Sequence, residues 1–536
     1  MNDLPASTRA RADAPTVDDT AGPAAGRSAA AEDTAQPALP TPAQPITAEQ
    51  TPAEALAFKV LPRRDILIVL LGISIGMFLA AMNQTIVAAA LPTIGRDLGD
   101  FENLSWVITA YLLTSTAVAP LFGKLADIHG RRAMMLIGLG GFLAGSVVCA
   151  LAPNMLLLVL GRGLQGLGGG GLLPLAQIII ADVVLPRERG RYQAYVGAVW
   201  VAAGIAGPVI GGAIAEHLHW SLIFWINVPL ALLGAGISSV TLRRLPRYDR
   251  RHALDVFGAV LMVAAAVALF LALTWGGVRY PWTSAPVIGL IVVSSLLWAA
   301  FAARLVTARE PFLPLSILAN PVVRMGCVTS ACAVGTTVGL TVMVPLYYEV
   351  VHGLSAGDSG LALLPIAVMS TPGSVVASRG MMHLVHYKLV PIVFMSISLA
   401  GTLWLTFAPA MPLTAVIVLL GVISFGLGTV FPVSTVCIQN AVPLHQVGTA
   451  TGVMNFFRAL NSALIVAVMG AILLAGFGVA PERGHGADVL VEAAGALGID
   501  HSRVFGFVFL AAAGFMAVGL AALAAMEERP LRGPRR

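Results

Sequence analysis

A ten-residue segment of the chain combines charges and glycines in a way that suits a reversible ionic contact. It reads Gly-Lys-Leu-Ala-Asp-Ile-His-Gly-Arg-Arg from Gly123 onward, with an acid at Asp127 and bases at Arg131 and Arg132. Gly123 and Gly130 permit a tight turn between two helices. Ion pairs in such a loop hold helix ends together and release them when one charge changes. The alternative is an ordinary basic loop at a membrane surface.

A second polar group lies inside apolar sequence. Arg162 and Gln165 are three residues apart, which places them on one helix face, and Asn83 and Gln84 lie in another apolar run. Arg162 lies about 10 Å after the start of its run and Asn83 about 12 Å before the end of its run, at the helical rise per residue. Both of these ends are predicted to lie at the outer side of the membrane, so the two residues sit at similar depth. An arginine in lipid is costly and should face protein or water. We predict a cluster of these four side chains with a role in coupling or in the response to substrate; alternatively, Arg162 only ties its helix to backbone carbonyls.

Glu349 is the notable acid of the later apolar runs. It lies in the sequence Pro-Leu-Tyr-Tyr-Glu-Val-Val-His-Gly, near the end of its run. A half-buried carboxylate there can bind and release protons or cations. The alternative is a solvated acid at the membrane edge.

A glycine and proline motif marks one apolar run. Gly207 and Gly211 are four residues apart and let another helix approach closely. Pro208 frees a backbone carbonyl and bends a helix, and Gly212 completes the motif. Bending and close sliding suit a gate, whereas static close packing is the alternative.

The elements that must position these residues are membrane helices. The chain has 536 residues, of which 57% are hydrophobic and 11% are charged, and its mean hydropathy is +0.85. Such a composition argues against a soluble enzyme and a disordered protein. Spanning the hydrocarbon takes about 20 apolar residues, and fourteen runs qualify. They are 66–91, 105–122, 133–151, 155–181, 194–215, 220–240, 254–275, 284–305, 325–350, 359–377, 389–407, 413–437, 449–475 and 505–525.

The distribution of basic residues predicts the orientation of these spans. With the N-terminus in the cytoplasm, the inner segments hold 23 Lys and Arg and the outer loops hold four. This excess agrees with the positive-inside rule and places both termini in the cytoplasm. It also explains the net charge of +5 without nucleic acid. We expect no metal site or cofactor, because the four cysteines lie singly in apolar runs.

Several motifs together resemble a known family. The spacing of the Gly123 segment resembles the signature loop of the major facilitator superfamily, and with fourteen spans the chain resembles its drug:proton antiporter group of the EmrB/QacA type. Arg458 matches an arginine that this family often carries. The other matching segments are Met82–Val87, Trp106–Tyr111, Gly161–Gly168, Gly207–Gly212 and Phe224–Pro229.

The resemblance implies an all-α membrane fold of six, two and six helices around a midplane cavity. The domains expected are a disordered tail (1–58), a six-helix bundle (59–240), two extra central helices (241–310), a second six-helix bundle (311–525) and a basic tail (526–536). Asn83 departs from the family, which usually has Asp there, and an amide cannot titrate. Glu349 stands where the family commonly has Gln.

The function implied is export of amphiphilic small molecules in exchange for protons, by a monomer of the cell membrane. In it Asp127 and its neighbours form a cytoplasmic gating loop, and Arg162, Glu349 and Arg458 serve the cavity or coupling. The positive Arg162 makes neutral or anionic substrates candidates beside cationic drugs. The alternatives are an uncoupled facilitator of a metabolite or lipid, a membrane-embedded enzyme, and a sensor that never transports.

Overall fold

The computed structural model describes residues 62–100, 103–244, 255–308, 310–477 and 500–531. Within these ranges fourteen helices are long and apolar enough to cross a membrane. The predicted 1–58 tail lies outside the described residues, as do the last five residues of the predicted 526–536 tail. We call the end of the bundle that the sequence predicts to face the cytoplasm the inner end, and the opposite end the outer end.

The fourteen helices follow the predicted spans, with ends displaced by up to about eight residues. In chain order α1 to α14 are Arg63–Leu98, Trp106–His129, Arg131–Ala150, Met155–Val183, Pro186–His217, Leu222–Thr241, Val256–Trp275, Ala285–Thr307, Pro321–His352, Gly357–His383, Leu389–Phe407, Leu413–Asn440, Val447–Phe477 and His501–Ala525. Helices satisfy every backbone polar group internally, as lipid requires.

Three predicted spans are interrupted: 220–240 at Ile226, 359–377 at Leu363, and 155–181. The run predicted as 155–181 consists of two helices, Met155–Gly169 and Leu172–Val183, separated at Gly170 and Gly171. A Cβ at Gly170 would lie 2.2 Å from the carbonyl oxygen of Ser115 on α2. The break therefore accompanies a close approach of α2, which hydropathy does not register.

Local polar groups fix where several helices begin and end. The side chains of Asn154, Asp255 and Asn320 accept hydrogen bonds from backbone N–H groups in the first turns of α4, α7 and α9. These donors have no partner within their helix, so the caps stabilise the helix starts. Gly99 and Gly353 end α1 and α9 at φ of 68° and 64°, a left-handed conformation that favours glycine.

Helix pairings repeat between the first half, α1–α6, and the second half, α9–α14. In the first half α1 packs on α5 and α6, and α3 packs on α4 and α6; in the second half α9 packs on α13 and α14, and α11 packs on α12 and α14. The halves meet through α2 with α13 and α5 with α10, which are also equivalent pairs. Helices α7 and α8 pack on each other, and α7 also contacts α2 and α13.

Candidate functional site

A carboxylate on α2 binds the beginning of α13 in the other half. The Asp127 carboxylate accepts hydrogen bonds from the backbone N–H groups of Gly448 (3.2 Å) and Thr449 (2.8 Å) and from the Thr449 hydroxyl (2.9 Å). The first N–H groups of a helix lack partners in their own helix and form its positive dipole end. The first half thus caps a helix of the second half. We call this contact, formed by Asp127, Gly448 and Thr449, the latch.

Two glycines allow the backbones to come this close. A Cβ at Gly123 would lie 2.3 Å from the carbonyl oxygen of Gly448 and 3.1 Å from the Cα of Gly452. A Cβ at Gly448 would lie 2.4 Å from a carboxylate oxygen of Asp127. These distances are shorter than any ordinary contact, so a side chain at either position would separate α2 from α13.

The two arginines of the predicted gating loop form contacts within the first half, and Arg131 also contacts the latch. Arg131 forms ion pairs with Asp127 (Nη2 to Oδ1, 3.1 Å) and with Asp182 on α4 (Nε to Oδ2, 2.7 Å). Arg132 donates to the carbonyl of Ser239 at the end of α6 (3.0 Å). Gly130 is the single residue between α2 and α3 and has a φ of 89°. The predicted loop is therefore reduced to Gly130, because Gly123 and Asp127 lie within α2 and the two arginines begin α3. All five residues lie together at the inner end.

A second contact between the halves was not predicted from the sequence. The amide of Asn455 on α13 donates to the Gln177 side chain on α4 (2.7 Å), and the amide of Gln439 on α12 donates to the Gln177 backbone carbonyl (3.3 Å). All three residues are buried. Amides inside apolar runs are the signal that indicates such a site. Like the latch, this contact lies toward the inner end.

The polar residues of the outer part of the first half form a buried cluster. Arg162 Nη1 donates to Gln165 Oε1 (2.6 Å), and Asn83 donates to the same oxygen (3.2 Å). Gln165 in turn donates to the hydroxyl of Ser146 on α3 (2.7 Å). Arg162 Nε also donates to the carbonyl of Val107 (2.7 Å). The arginine therefore both joins the polar cluster and ties its helix to a backbone carbonyl.

Tyr111 completes this cluster and was not singled out from the sequence. Its ring lies 4.5 Å from the guanidinium carbon of Arg162, a cation–π distance. Its hydroxyl donates to the carbonyl of Ala80 (3.3 Å) and interacts with the side chains of Asn83 and Gln84. Arg162, Gln165, Asn83 and Gln84 thus come together as four residues of one site. None of these interacting side chains is an acid.

Glu349 lies in the second half, apart from this cluster. Its carboxylate accepts a hydrogen bond from the hydroxyl of Ser359 near the start of α10 (3.0 Å), and its side chain is partly exposed. Within the described ranges no hydrogen bond joins Glu349 to Arg162 or to Asp127. The neighbouring Tyr347 donates to the carbonyl of Pro409, and His352 lies 3.1 Å from its hydroxyl.

The α5 motif packs against α1 rather than between the halves. A Cβ at Gly207 would lie 1.8 Å from the Thr85 hydroxyl, and one at Gly211 would lie 2.5 Å from the Ile86 carbonyl oxygen. Gly212 has nothing within 4 Å of its Cβ position. The helix continues unbroken across Pro208, whose ring is exposed.

Arg458 on α13 is a buried cation of the second half. It donates to the hydroxyls of Ser330 (3.1 Å) and Thr435 (2.9 Å), and its guanidinium carbon lies 4.4 Å from the centre of the Phe431 ring. No hydrogen bond joins it to the Arg162 cluster in the part of the chain that the structure covers. In the same part, no group of three His, Cys, Asp or Glu side chains is placed to hold a metal ion.

Comparison with known proteins assigns this arrangement to a family. Residues 73–467 match the family model described as Major Facilitator Superfamily. The chain is 32% identical over 404 residues to the Multidrug transporter protein MdtP of Bacillus subtilis, covering 75% of this chain and 74% of that protein. It is 35% identical over 421 residues to the Efflux pump FUS6 of Gibberella fujikuroi, covering 76% and 74% respectively.

Two further comparisons differ in sequence identity and in the share of each protein that they cover. An uncharacterized MFS-type transporter of Mycobacterium tuberculosis is 33% identical over 415 residues, but this chain spans only 59% of its length. The crystal structure of the human organic anion transporter MFSD10 (TETRAN) superposes with a TM-score of 0.58 at 15% identity, covering 86% of this chain and all of that chain. That likeness concerns the fold alone. Because the family model covers most of its length and fourteen of its described helices can span a membrane, the chain belongs to the major facilitator superfamily.

Proposed function

We propose that the chain exports amphiphilic small molecules across the cell membrane in exchange for protons, by alternating access. The observation that carries the proposal is the latch, which joins the two halves at the inner end through a carboxylate and a helix N-terminus. Such a contact can break and re-form as the halves rock about a central site. The name of FUS6, an efflux pump, supports export as the direction of transport.

Asp127 is the group that we propose to couple protons to this movement. Its side chain is buried, pairs with Arg131 and accepts three hydrogen bonds from the second half. A proton on Asp127 removes the negative charge that stabilises both the arginine and the helix dipole. Protonation therefore weakens the latch and favours opening of the inner end. Glu349 is a weaker candidate, because its hydrogen bond to Ser359 stays within one half.

The test measures proton movement in everted membrane vesicles with an acidic interior. A panel of cationic, neutral and anionic amphiphiles is added to vesicles carrying the wild type, Asp127→Asn or Glu349→Gln, with the exposed Asp97→Asn as a control. We expect at least one amphiphile to dissipate the gradient in the wild type and in Asp97→Asn, but not in Asp127→Asn. Downhill substrate flux in the same vesicles separates a lost proton from a lost transport cycle. Substrate flux without any loss of the gradient in the wild type would contradict antiport.

The second candidate is a facilitator without proton coupling. It is favoured by the Arg162 cluster, where Asn83 and Gln165 supply amides and no interacting side chain carries an acid. The change Asn83→Asp tests it, because a carboxylate beside a buried arginine can exchange a proton. Under this candidate the wild type moves substrate without protons, and Asn83→Asp makes the flux depend on pH. A wild type that already couples protons would exclude it.

A further inference from the structure

Arg458 is surrounded by hydroxyl groups instead of carboxylates. It donates to Ser330 (3.1 Å), Ser434 (3.4 Å) and Thr435 (2.9 Å). Each of these hydroxyls donates its own proton to a backbone carbonyl, of Cys327 or of Phe431. Their lone pairs therefore face the guanidinium. All three hydroxyl residues are fully buried, and Arg458 is only 4% exposed.

The charge of Arg458 has no counter-ion among the described residues. None of the ion pairs there involves it, and its Nη1 atom is buried with no hydrogen-bond partner. Burying a guanidinium without an opposite charge is costly, and hydroxyl dipoles compensate only part of that cost. An unpaired N–H group in such a place has donor capacity left for an anion, which a guanidinium binds through two parallel hydrogen bonds.

Arg458 lies one helical turn from the Gln177 to Asn455 contact between the halves. Asn455, one turn nearer the inner end of α13, binds Gln177 of the first half. Phe431, which stacks on Arg458, also packs against the hydrophobic core of the first half. Two residues close to Arg458 therefore contact the first half. When the halves part at that end, Asn455 and Phe431 lose these partners in the first half.

We propose that Arg458, with Ser330, Ser434 and Thr435, binds the anionic group of an amphiphilic substrate that enters from the inner end. The ligand class is an organic carboxylate or sulfonate with an apolar body, which Phe431 contacts. This proposal rests on the proposed export function and narrows its substrate class. It assigns selectivity for charge to the second half, whereas the latch controls access.

Binding to the full-length chain in lipid nanodiscs tests the proposal, with empty nanodiscs as background. The probes are 1-pyrenebutyrate, its methyl ester and 4-(1-pyrene)butylamine, which share one apolar body and differ in charge. We expect the wild type to bind the carboxylate best. Arg458→Gln should weaken carboxylate binding by about ten- to a hundredfold, the value of one or two charge-assisted hydrogen bonds, and leave ester binding unchanged. Arg458→Lys should lose less, because it keeps the charge without the planar fork.

The control is Arg304→Gln, since Arg304 pairs with Asp255 at α7 and lies outside this site. It should retain the carboxylate preference. Equal losses for carboxylate and ester in Arg458→Gln and Arg458→Lys would make Arg458 a structural residue and overturn the proposal, as would a wild type that prefers the amine. Ester binding also reports whether each variant is folded. Proton antiport is measured separately in vesicles, so its absence would refute the proposed function without touching this result.

Discussion

Substituting Gly123 by alanine should shift the chain away from the conformation closed at the inner end. The added Cβ meets the Gly448 carbonyl oxygen at 2.3 Å and the Gly448 carbonyl carbon at 3.0 Å, and both are backbone atoms of the other half. No side-chain rotation relieves such a contact. Restoring ordinary contact requires α2 and α13 to move apart by about 1 Å, because packed interiors have no spare volume.

The size of this shift follows from the cost of overpacking. One extra methyl in a packed interface costs about 1–3 kcal/mol, and the cost applies only when the halves touch. The ratio of open to closed conformers should therefore rise by about 5- to 150-fold. Alanine also favours the helix by about 1 kcal/mol over glycine, but equally in both conformers. The matched control is Gly140→Ala on α3, where nothing lies within 4 Å of the Cβ position.

Distances between spin labels at His129→Cys and Leu384→Cys measure the shift. Both positions are exposed, and each belongs to the inner end of a different half. The four native cysteines are buried, which limits background labelling. We expect Gly123→Ala to add a longer distance that Gly140→Ala lacks. An unchanged distribution in Gly123→Ala, or the same change in both variants, would refute the assignment of this contact as the inner closure.

Three further predictions concern other contacts. Asp127→Asn should lengthen the same spin-label distance, because it loses the Arg131 ion pair and most of the acceptor capacity toward α13; an unchanged distance would refute the latch. Asp255 should contribute stability at neutral pH: burial alone would raise its pKa, but hydrogen bonds from Gly258, Arg304 and Phe312 hold that pKa below the ordinary 3.8. The pKa of Asp255 is lower in the folded chain than in the unfolded chain, so its contribution to stability is lost as the pH falls below 3.8. The difference in melting temperature between wild type and Asp255→Asn should therefore narrow at low pH. A difference that stays constant with pH would contradict this. Truncation after Met526 should lower the melting temperature by several degrees. It removes the buried Leu531 side chain and the two backbone carbonyls that accept hydrogen bonds from Tyr387 and Asn440. An unchanged melting temperature would show that the segment adds no stability.

Hydropathy and spacing predicted the spans and the buried cluster well, for a physical reason. Lipid forces long apolar helices, so their number follows directly from the sequence. A membrane-embedded arginine must find polar partners, and Gln165 on its own helix face was the nearest. Depth along the helices then placed Asn83 within reach of the same oxygen.

Contacts between the halves were harder to predict, because no local rule specifies which helix faces meet. The sequence marked Asp127 as an ionic group but gave no indication of its partners at Gly448 and Thr449, which follow more than 300 residues later. The Gln177 to Asn455 contact was missed for the same reason. Both depend on two bundles docking in one register, a property of the tertiary structure.

Purified protein in liposomes with an imposed pH gradient tests proton-driven export most directly. The substrate is the amphiphile that gives the largest response in vesicles, and its concentration inside is followed over time. Proton-driven export predicts accumulation against the substrate gradient, which collapses when a protonophore is added. Equilibration to the same level with and without the gradient would contradict it.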